Sequence, residues 1–585
     1  MHRVALLSLF ILAAGCDCSA VATVGGADQH LHDGGSTSRS PDGGTIGVHP
    51  DAGSPCAQTC SDDLQSIVDC KGVATQCPTG QGCAPQGGCI DACQSAALAG
   101  STVGCDFYVA AVPPQFQTTG SCYSAFVANT WNSPITITVQ KGSTPLDISG
   151  FARVPRGSGA SLSYDPLPVT NGVATLPVGQ MAILFLAQFD TGGAEFFTPC
   201  PGGVTPAVAS TFQLEGTGFG DAFHIATNAP VVAYDMYPYG GANSHVTSAS
   251  LLIPTSAWGT NYLAADVGDP GQGGSPYTQI FSQQDGTKVA ILAPVAIQGG
   301  GNVAGSSPNV VAQYVVNKGQ VLQFEQSQPL SGALIKSDHP IAVWGGASCM
   351  NIPLNVAACD SAHQQLPAIP LLSSDYVAVR HRERLPGSNE PAAWRFIGAV
   401  DGTVLTYDPP QPGAPTTLAA GQSVELGLSG PFRVTSQDAA HVFYLAELMS
   451  GGQGYQGVGD PDFVTIVPPL QYLKQYLFFT DVTYSNTDLV IVRGPGSDGV
   501  FHDVTVDCAG VLSAWQPVGN SGFQYARVWW TSSATTGCQN GVHQAHSDAP
   551  FGLTVWGTDS YTSYGYAAGM SVHPINTVVV GPIIN

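Results

Sequence analysis

Residues 335–344 (IKSDHPIAVW) contain the pattern that decides the fold of this chain. A polar stretch ends at Pro340, and an apolar run follows directly. Ser and Asp side chains bond to nearby backbone N–H groups and Pro fixes φ, so the pattern predicts a corner before a buried strand. Similar stretches occur at residues 225–234 (IATNAPVVAY), 436–444 (SQDAAHVFY) and 546–556 (HSDAPFGLTVW).

The four corners recur at a nearly constant spacing. The intervals are 110, 100 and 110 residues when Pro230 is aligned with Pro340, Ala440 and Pro550. Self-similarity at a fixed period predicts repeated structural units. The turn residues should then occupy matching, exposed places in the four units: Asn228, Asp338, Asp438 and Asp548. The first residues of the strands that follow should be buried: Val231, Ile341, Val442 and Phe551.

Two further repeated elements support units of about 110 residues. Asp-Gly, a strong hairpin signal, precedes alternating apolar residues, and Gly-Gln opens a strand upstream of the corner. A unit of this size suits a β-sandwich and exceeds one propeller blade of about 40–50 residues. The sequence therefore predicts an all-β fold of tandem β-sandwich-like repeats, with ring-like or propeller packing as the alternative. The pairs are Asp285-Gly286, Asp401-Gly402 and Asp498-Gly499, and Gly179-Gln180, Gly319-Gln320 and Gly421-Gln422.

Composition narrows the class of protein further. The 585 residues include 71 Gly and 43 Pro, which excludes a mainly helical fold. Apolar residues make up 44%, which excludes global disorder. With 17 Lys+Arg against 40 Asp+Glu, the net charge is −23, and such a chain repels nucleic-acid phosphates. We therefore expect no nucleic-acid partner.

The first residues read as an export signal. Val4 to Ala14 form an almost unbroken apolar run, too short to span a bilayer. The run ends in Ala-Ala-Gly-Cys, which resembles a bacterial lipoprotein signal of residues 1–15 with Cys16 as the lipidated residue. The alternative is an ordinary cleaved signal. Residues 16–55, rich in Gly, Ser, Asp and Pro, predict a disordered tether, and a metal site at His30 and His32 is disfavoured there.

Apart from Cys16 and Cys18, the cysteines fall into two groups. A dense, even cluster in an exported chain predicts disulfides, and the absence of a CxxC pair disfavours zinc. Residues 56–105 should therefore form a small disulfide-rich module, whose connectivity the sequence leaves open. Its cysteines are Cys56, Cys60, Cys70, Cys77, Cys83, Cys89, Cys93 and Cys105. Among the six later cysteines, the neighbours predict Cys349–Cys359 and Cys508–Cys538, which leaves Cys122–Cys200.

The repeat and the cysteine cluster together give a domain organisation. Residues 1–15 are the signal, 16–55 the tether and 56–105 the cysteine-rich module. Four β modules follow, at residues 106–248, 249–372, 373–470 and 471–585.

Several stretches resemble a known family. Residues 338–345 (DHPIAVWG) are followed by Cys349, Pro353, Cys359-Asp360 and Gln365-Leu366-Pro367. This segment resembles the IgGFc-binding protein N-terminal domain family, which includes animal mucosal proteins and many bacterial surface proteins and lipoproteins. Further similar stretches are residues 104–108 (GCDFY), 251–258 (LLIPTSAW) and 548–552 (DAPFG), so the resemblance runs from about residue 104 to the C-terminus.

The resemblance implies binding to an extracellular partner, and its name refers to antibody Fc bound by animal members. The chain departs from the family in the cysteine loop. Many relatives have His two residues after the second Cys and Glu before Gln-Leu-Pro, whereas this chain has Ser361 and Gln364, with His363 between them. The Trp-Gly that often follows is missing near Leu372-Ser373.

Candidate contact residues are few. Arg380, Arg382 and Arg384 would share one face if they lay on a strand, where they could contact an acidic or glycan ligand; the alternative is a charged, aggregation-resistant edge strand. Trp529-Trp530 and Tyr561, Tyr564 and Tyr566 could stack on sugars or simply pack in the core. Residues 452–457 match GxGxxG without a βαβ context, so a plain Gly-rich loop is favoured. His224, His339 and His363 are interpreted as structural residues.

Catalytic motifs are absent: the sequence contains no HExxH, Walker A or GxSxG pattern. We therefore expect no catalytic residues, no metal site and no cofactor. The favoured function is a non-enzymatic, lipid-anchored binding or adhesion protein of the cell envelope, on the outer membrane or cell surface, with an extracellular protein or glycan ligand. The alternatives are an envelope scaffold protein and, third, a secreted hydrolase.

Overall fold

A computed structural model describes residues 58–157, 161–170, 173–267, 274–354, 356, 358–534 and 536–582. The predicted signal, Cys16, the tether and Cys56 lie outside the described residues. The fold is all-β, as predicted, with one described α-helix. No described helix has the length and apolar character needed to cross a membrane.

The cysteine-rich module begins the described chain. Helix α1 (Ala92–Ala99) starts at Asp91, whose carboxylate accepts hydrogen bonds from two backbone N–H groups, and ends at Gly100 in the left-handed conformation. Disulfides join Cys60 to Cys83, Cys77 to Cys89 and Cys93 to Cys105, and Cys70 is also disulfide-bonded. The short strands are β1 (Thr59–Cys60), β2 (Ser66–Val68), β3 (Ala74–Gln76), β4 (Gln81–Cys83) and β5 (Cys89–Asp91).

Four β-sandwiches follow, and each has seven core strand positions, which we name A to G in chain order. One sheet has the order A-F-C-D and the other the order E-B-F-G, because the long F strand contributes to both. In the first sandwich A to G are β6 (Gly104–Val109), β7 (Tyr123–Asn129), β8 (Ile135–Lys141), β13 (Val173–Leu176), β14 (Met181–Ala187), β16 (Phe223–Tyr237) and β17 (Ser248–Leu251). Its additional strands are β9 (Thr144–Leu146), β10 (Ala152–Arg156), β11 (Ser163–Pro166) and β12 (Val169–Thr170).

The second sandwich repeats the same pairing. The short strand β15 (Gly218–Asp221), which precedes β16 in the chain, pairs with its E strand. Its positions A to G are β18 (Gly259–Leu263), β19 (Pro276–Ser282), β20 (Thr287–Leu292), β21 (Ala312–Val316), β22 (Gln320–Glu325), β23 (Leu334–Met350) and β24 (Asp360–Gln365).

The third and fourth sandwiches complete the series. In the third, A to G are β25 (Asp375–Ala378), β26 (Ala392–Gly398), β27 (Thr403–Asp408), β28 (Thr417–Leu418), β29 (Ser423–Leu428), β30 (Phe432–Ser436) with β31 (Phe443–Met449), and β32 (Asp462–Thr465). In the fourth they are β33 (Leu473–Thr480), β34 (Asn486–Arg493), β35 (Val504–Val506), β36 (Gly510–Val511), β38 (Gln524–Thr531), β39 (Gly541–Asp559) and β40 (Thr562–Ala567), with β37 (Gln516–Pro517) added beside β38.

The repeated corner lies where the F strand passes from one sheet to the other. The four turn residues are exposed and the apolar residues after them are fully buried, as predicted. Asn228 and Asp338 each accept a hydrogen bond from a backbone N–H of strand C, at 2.7 and 2.8 Å.

Two details of the corner prediction were wrong. In the first, second and fourth sandwiches the corner is a bend within one continuous strand, because the polar residues keep extended pairing through it. In the third, a two-residue insertion makes a true turn, so Phe443 rather than Val442 begins the second half of the strand.

A tyrosine bracket fastens strand A to the corner. In the second sandwich the Tyr262 hydroxyl accepts a hydrogen bond from the Gly259 backbone N–H and donates one to the Ile341 carbonyl. Tyr376 and Tyr476 make the same two bonds in the third and fourth sandwiches, to Phe443 and Phe551 respectively. At this position the first sandwich has Phe107, which has no hydroxyl.

The four sandwiches close into a ring. The G strands meet at its centre: β17 packs against β24 and β40, and β32 packs against the same two strands. The fourth sandwich therefore contacts the first, where Tyr234 packs against Tyr566 with ring centroids 4.5 Å apart. The molecule combines the predicted sandwiches with the ring-like packing that was the alternative.

Candidate binding site

Neighbouring sandwiches are joined by a repeated junction. The loop between strands A and B of one sandwich lies against the E-B-F sheet of the next, and a long side chain from that sheet donates a hydrogen bond to a loop carbonyl. Gln279 donates to Ala111, Arg395 to Asp266, and Arg527 to Arg380. Each acceptor lies four residues after the aromatic residue of strand A (Phe107, Tyr262 or Tyr376), so these three junctions are equivalent.

The third of these loops, residues 379–391, contains the predicted arginines. Arg380, Arg382 and Arg384 do not lie on a strand, so neither the shared strand face nor the charged edge strand is correct. The segment leaves β25 and crosses the junction between the third and fourth sandwiches, where its backbone groups bond to side chains of β31 and β34.

A buried ion network holds this loop in place. The His381 imidazole contacts Glu447 at 2.6 Å and Glu390 at 2.9 Å, and Arg384 contacts Glu390 at 2.6 Å. Burial alone would lower the pKa of His381, but hydrogen bonds and charges from the two glutamates raise it. Burial alone would raise the pKa of Glu390, but His381 and Arg384 lower it to about 2. Arg384 and His381 therefore stabilise the loop, and their charges are already paired within the protein.

Arg382 has a different environment. Its backbone N–H donates to Asp488 Oδ2 at 2.6 Å, while its guanidinium carbon lies 4.0 Å from the centroid of the Trp529 ring. Asp488, Trp529 and Trp556 are directly opposite one another on three adjacent strands of the fourth sandwich, so they share one face of its sheet. That face meets the Arg382 loop.

The junction encloses an open cleft of about 270 Å³. Its walls include His381, Arg382, Asp488, Trp529, Trp556 and Thr558. A second cleft of about 410 Å³ shares Arg382 and is lined by Arg380 and Arg527. Trp529 is 45% exposed beside these clefts, whereas its neighbour Trp530 is buried in the sandwich core because alternate residues of a strand face opposite sides.

The other aromatic candidates separate in the same way. Tyr564 and Tyr566 are buried, so they cannot stack on an external sugar, while Tyr561 is 41% exposed. The GxGxxG segment forms a short 3₁₀ turn at Gly452–Tyr455, as the Gly-rich loop interpretation expects, and the Tyr455 ring lies 3.9 Å from the Arg384 guanidinium carbon.

The cysteine loop that carries the family resemblance is a structural element. Cys349 is bonded to Cys359, and the pairs Cys508–Cys538 and Cys122–Cys200 are also present. Ser361, His363 and Gln364 are all buried on strand G, and the imidazole of His363 bonds to Asp235 at 3.1 Å in the first sandwich. These residues hold the ring together.

One further group of potential metal ligands lies on the fourth sandwich. Asp507, Cys508 and His543 come close together, but the Cys508 sulfur is bonded to Cys538. His543 contacts the Asp507 carboxylate at 3.0 Å and the Gln539 carbonyl at 2.6 Å. The cluster therefore has no thiolate to offer a metal ion.

Comparison with known proteins identifies the family. A family model described as IgGFc binding protein matches residues 248–557, more than half of the chain. The chain belongs to the IgGFc-binding protein family. The match covers the second and third sandwiches and most of the fourth, so this family member carries the Arg382 loop and Trp529 within its family region.

Human IgGFc-binding protein is 22% identical over 333 residues, which are 56% of this chain. This chain spans only 6% of that human protein. No solved structure shows significant similarity to the chain. The family resemblance in the sequence rests on the corner and the cysteine loop. The clefts beside Arg382 and Trp529 lie elsewhere, at a junction between sandwiches for which the sequence contains no recognisable motif.

Proposed function

We propose that this family member is a surface-exposed binding protein whose ligand is an extracellular protein, contacted at the clefts beside Arg382 and Trp529. The observation that carries the proposal is the exposed indole with a guanidinium stacked on it, at a junction whose other cationic groups are ion-paired. Trp and Arg dominate the energetically important contacts of protein interfaces. Human IgGFc-binding protein, by its name, binds IgG Fc, which makes antibody Fc one ligand to test.

The cleft geometry favours binding over hydrolysis. Glu383 is engaged by Arg380 at 3.0 Å and by the Gly387 backbone N–H at 2.9 Å. Asp488 accepts from the Arg382 backbone and lies 4.0 Å from Arg527. A hydrolase would need two carboxylates free to reach a substrate, and these two are held by the protein. We therefore propose that the protein is a non-enzymatic binding protein. The alternative to a binding function is a scaffold role in the cell envelope.

The test is capture of extracellular proteins, antibody Fc among them, on the immobilised full-length protein. Trp529→Ala should lower the affinity of a captured ligand at least tenfold, because an interface tryptophan of this kind contributes on the order of 2 kcal/mol. Trp515→Ala is the matched control, since Trp515 also carries a stacked arginine but lies away from the cleft. Equal binding by the wild type and the Trp529 variant would refute the assignment of the site.

We infer in addition that the protein is lipid-anchored through Cys16, after removal of residues 1–15, with residues 16–55 as the tether. The support is the apolar run that ends in Ala-Ala-Gly-Cys. Cys16→Ser should move the protein from the detergent phase to the aqueous phase on phase separation. Persistence of the variant with membranes would show that this anchor is wrong.

A further inference from the structure

The charges around the clefts are matched with one exception. Four of the five cationic side chains that line the two clefts are paired with carboxylates: Arg380 with Glu383, His381 with Glu390 and Glu447, Arg384 with Glu390, and Arg527 with Asp488. The fifth is Arg382: its charge acts on Asp488, but within the part of the chain that the structure describes its guanidinium forms no salt bridge. It is half-buried and lines both clefts.

The Trp529 stack orients this unpaired guanidinium. A planar guanidinium packed on an aromatic face keeps its N–H donors in the plane, available at its edge. Its fork of donors matches a carboxylate, with which it forms two parallel hydrogen bonds. Holding the fork against the indole also removes side-chain freedom that a free arginine would lose on binding.

We propose that the Arg382 guanidinium receives a carboxylate of the ligand, so that the cleft recognises an acidic segment. This inference rests on the proposed binding function and adds the chemistry of the partner. The net charge of −23 opposes an acidic partner at long range. The local attraction comes from the five cationic side chains that line the two clefts, of which Arg382 is the one without a salt bridge in the described part of the chain.

The same carboxylate chemistry has two sources, an acidic peptide segment or an acidic sugar. Full-length protein is titrated with poly-L-glutamate and, separately, with polysialic acid, and binding is followed by tryptophan fluorescence and by calorimetry. Neutral dextran is the negative probe. Binding of an acidic probe should weaken steeply as salt rises from about 50 to 200 mM, because exposed charges are screened at that ionic strength.

Charge reversal provides the decisive variants. Arg382→Glu should weaken binding of the acidic probe at least tenfold, Arg382→Lys should retain part of the affinity, and Trp529→Ala should lower it. Arg493→Glu is the matched control, because Arg493 is stacked on Trp515 at 3.7 Å outside the cleft, and it should change the affinity less than twofold. Unchanged near-ultraviolet circular dichroism establishes that each variant is folded.

The outcomes separate the inference from the proposed function. Binding of poly-L-glutamate alone identifies an acidic peptide, and binding of polysialic acid alone identifies an acidic sugar; either supports the inference if Arg382→Glu abolishes it. A captured protein ligand that requires Trp529 but is indifferent to salt and to Arg382→Glu overturns the inference and leaves the binding function standing. An acidic probe that binds Arg382→Glu as well as wild type also overturns it.

Discussion

Two equivalent junctions of the ring have taken different forms. Between the second and third sandwiches, Arg395 is 4% exposed and donates to the Asp266 carbonyl and, at 2.5 Å, to Glu425. Between the third and fourth, Arg527 makes the equivalent bond to the Arg380 carbonyl, and open clefts lie beside Trp529. At the first junction the described residues bury Arg395, whereas the second junction keeps a half-buried Arg382 and an exposed Trp529. We call the first the sealed junction and the second the open junction.

The difference separates stability from binding. The sealed junction satisfies the Asp266 carboxylate internally, because Asp266 accepts from the Ser331 hydroxyl at 2.7 Å and from the Leu330 backbone N–H at 2.6 Å. At the open junction the deeper cations His381 and Arg384 are ion-paired, while Arg382 has no salt bridge in the part of the chain that the structure describes. We therefore expect substitutions at the sealed junction to affect folding, and substitutions at the outer part of the open junction to affect ligand affinity.

The largest expected effect is at the sealed junction. Arg395→Leu should lower the free energy of unfolding by about 3–5 kcal/mol, because it removes one partner of a buried charged network and leaves Asp266 without a facing cation. Chemical denaturation monitored by circular dichroism measures this. A loss below about 1 kcal/mol would mean that the two junctions do not differ in this respect.

The two junctions should also respond to pH in opposite directions. Burial raises the pKa of Asp266 to about 6, against the bonds from Ser331 and Leu330 and the charge of Arg395. A raised acid pKa means that its stabilising contribution is complete below about pH 4 and is lost as pH rises through 6. The pKa of Glu390 is lowered to about 2, so its contribution is complete above about pH 5 and is lost as pH falls through 2.

Each of these contributions amounts to about 3 kcal/mol, since one pKa unit corresponds to about 1.4 kcal/mol. The measurement is the free energy of unfolding against pH for wild type, Asp266→Asn and Glu390→Gln. Asp266→Asn should flatten the curve between pH 4 and 6, and Glu390→Gln should flatten it between pH 2 and 5. Parallel curves for both variants and the wild type would contradict the assignment.

The tyrosine brackets that precede the two loops should contribute less to the free energy of unfolding, and by the same amount at both junctions. Tyr262→Phe and Tyr376→Phe should each cost about 1–3 kcal/mol, because a buried carbonyl and a buried N–H lose their partner. The natural Phe107 shows that the fold accommodates the ring without its hydroxyl. Unequal losses, measured by thermal unfolding, would indicate that the brackets rather than the loops distinguish the junctions.

The smallest effect on folding belongs to the outer arginine. Arg382→Ala should change the free energy of unfolding by less than about 1 kcal/mol, the scale of a partly exposed cation–π contact. Trp529 fluorescence should nevertheless shift, because the guanidinium leaves the ring. A destabilisation comparable to that of Arg395→Leu would assign Arg382 to the scaffold instead of the ligand.

Much of the fold followed from local patterns. The corner residues, the Asp-Gly and Gly-Gln turns and the alternating strands are all encoded within about ten residues, and the sandwiches could be predicted from them. The two-residue insertion before Phe443 was harder to predict. Ala440 stands where the repeat interval places a proline in the other corners, so the sequence alone aligns it with them.

The candidate site could be predicted only as separate residues. Arg382 and Trp529 are 147 positions apart in the chain and meet only because the A–B loop of one sandwich lies on the sheet of the next. The alternating charged residues 380–384 are compatible with an edge strand and with a loop, so the sequence pattern could not distinguish the two structures. Arg380 and Arg384 pair with Glu383 and Glu390 of the same loop, whereas Asp488 and Trp529, which contact Arg382, come from the next sandwich. The local sequence therefore could not show which arginine lacks a carboxylate partner.

The closure of the fourth sandwich onto the first fixes the copy number of the repeat. In an open array each added copy extends the structure and needs a capping copy at either end, whereas here Ser101 pairs with Ser571 and no copy is terminal. Every sandwich in the closed ring is flanked by two others. The sequence of each junction loop can therefore change without a need to preserve a special end copy. A circular permutant opened at another inter-sandwich connection should fold to the same circle.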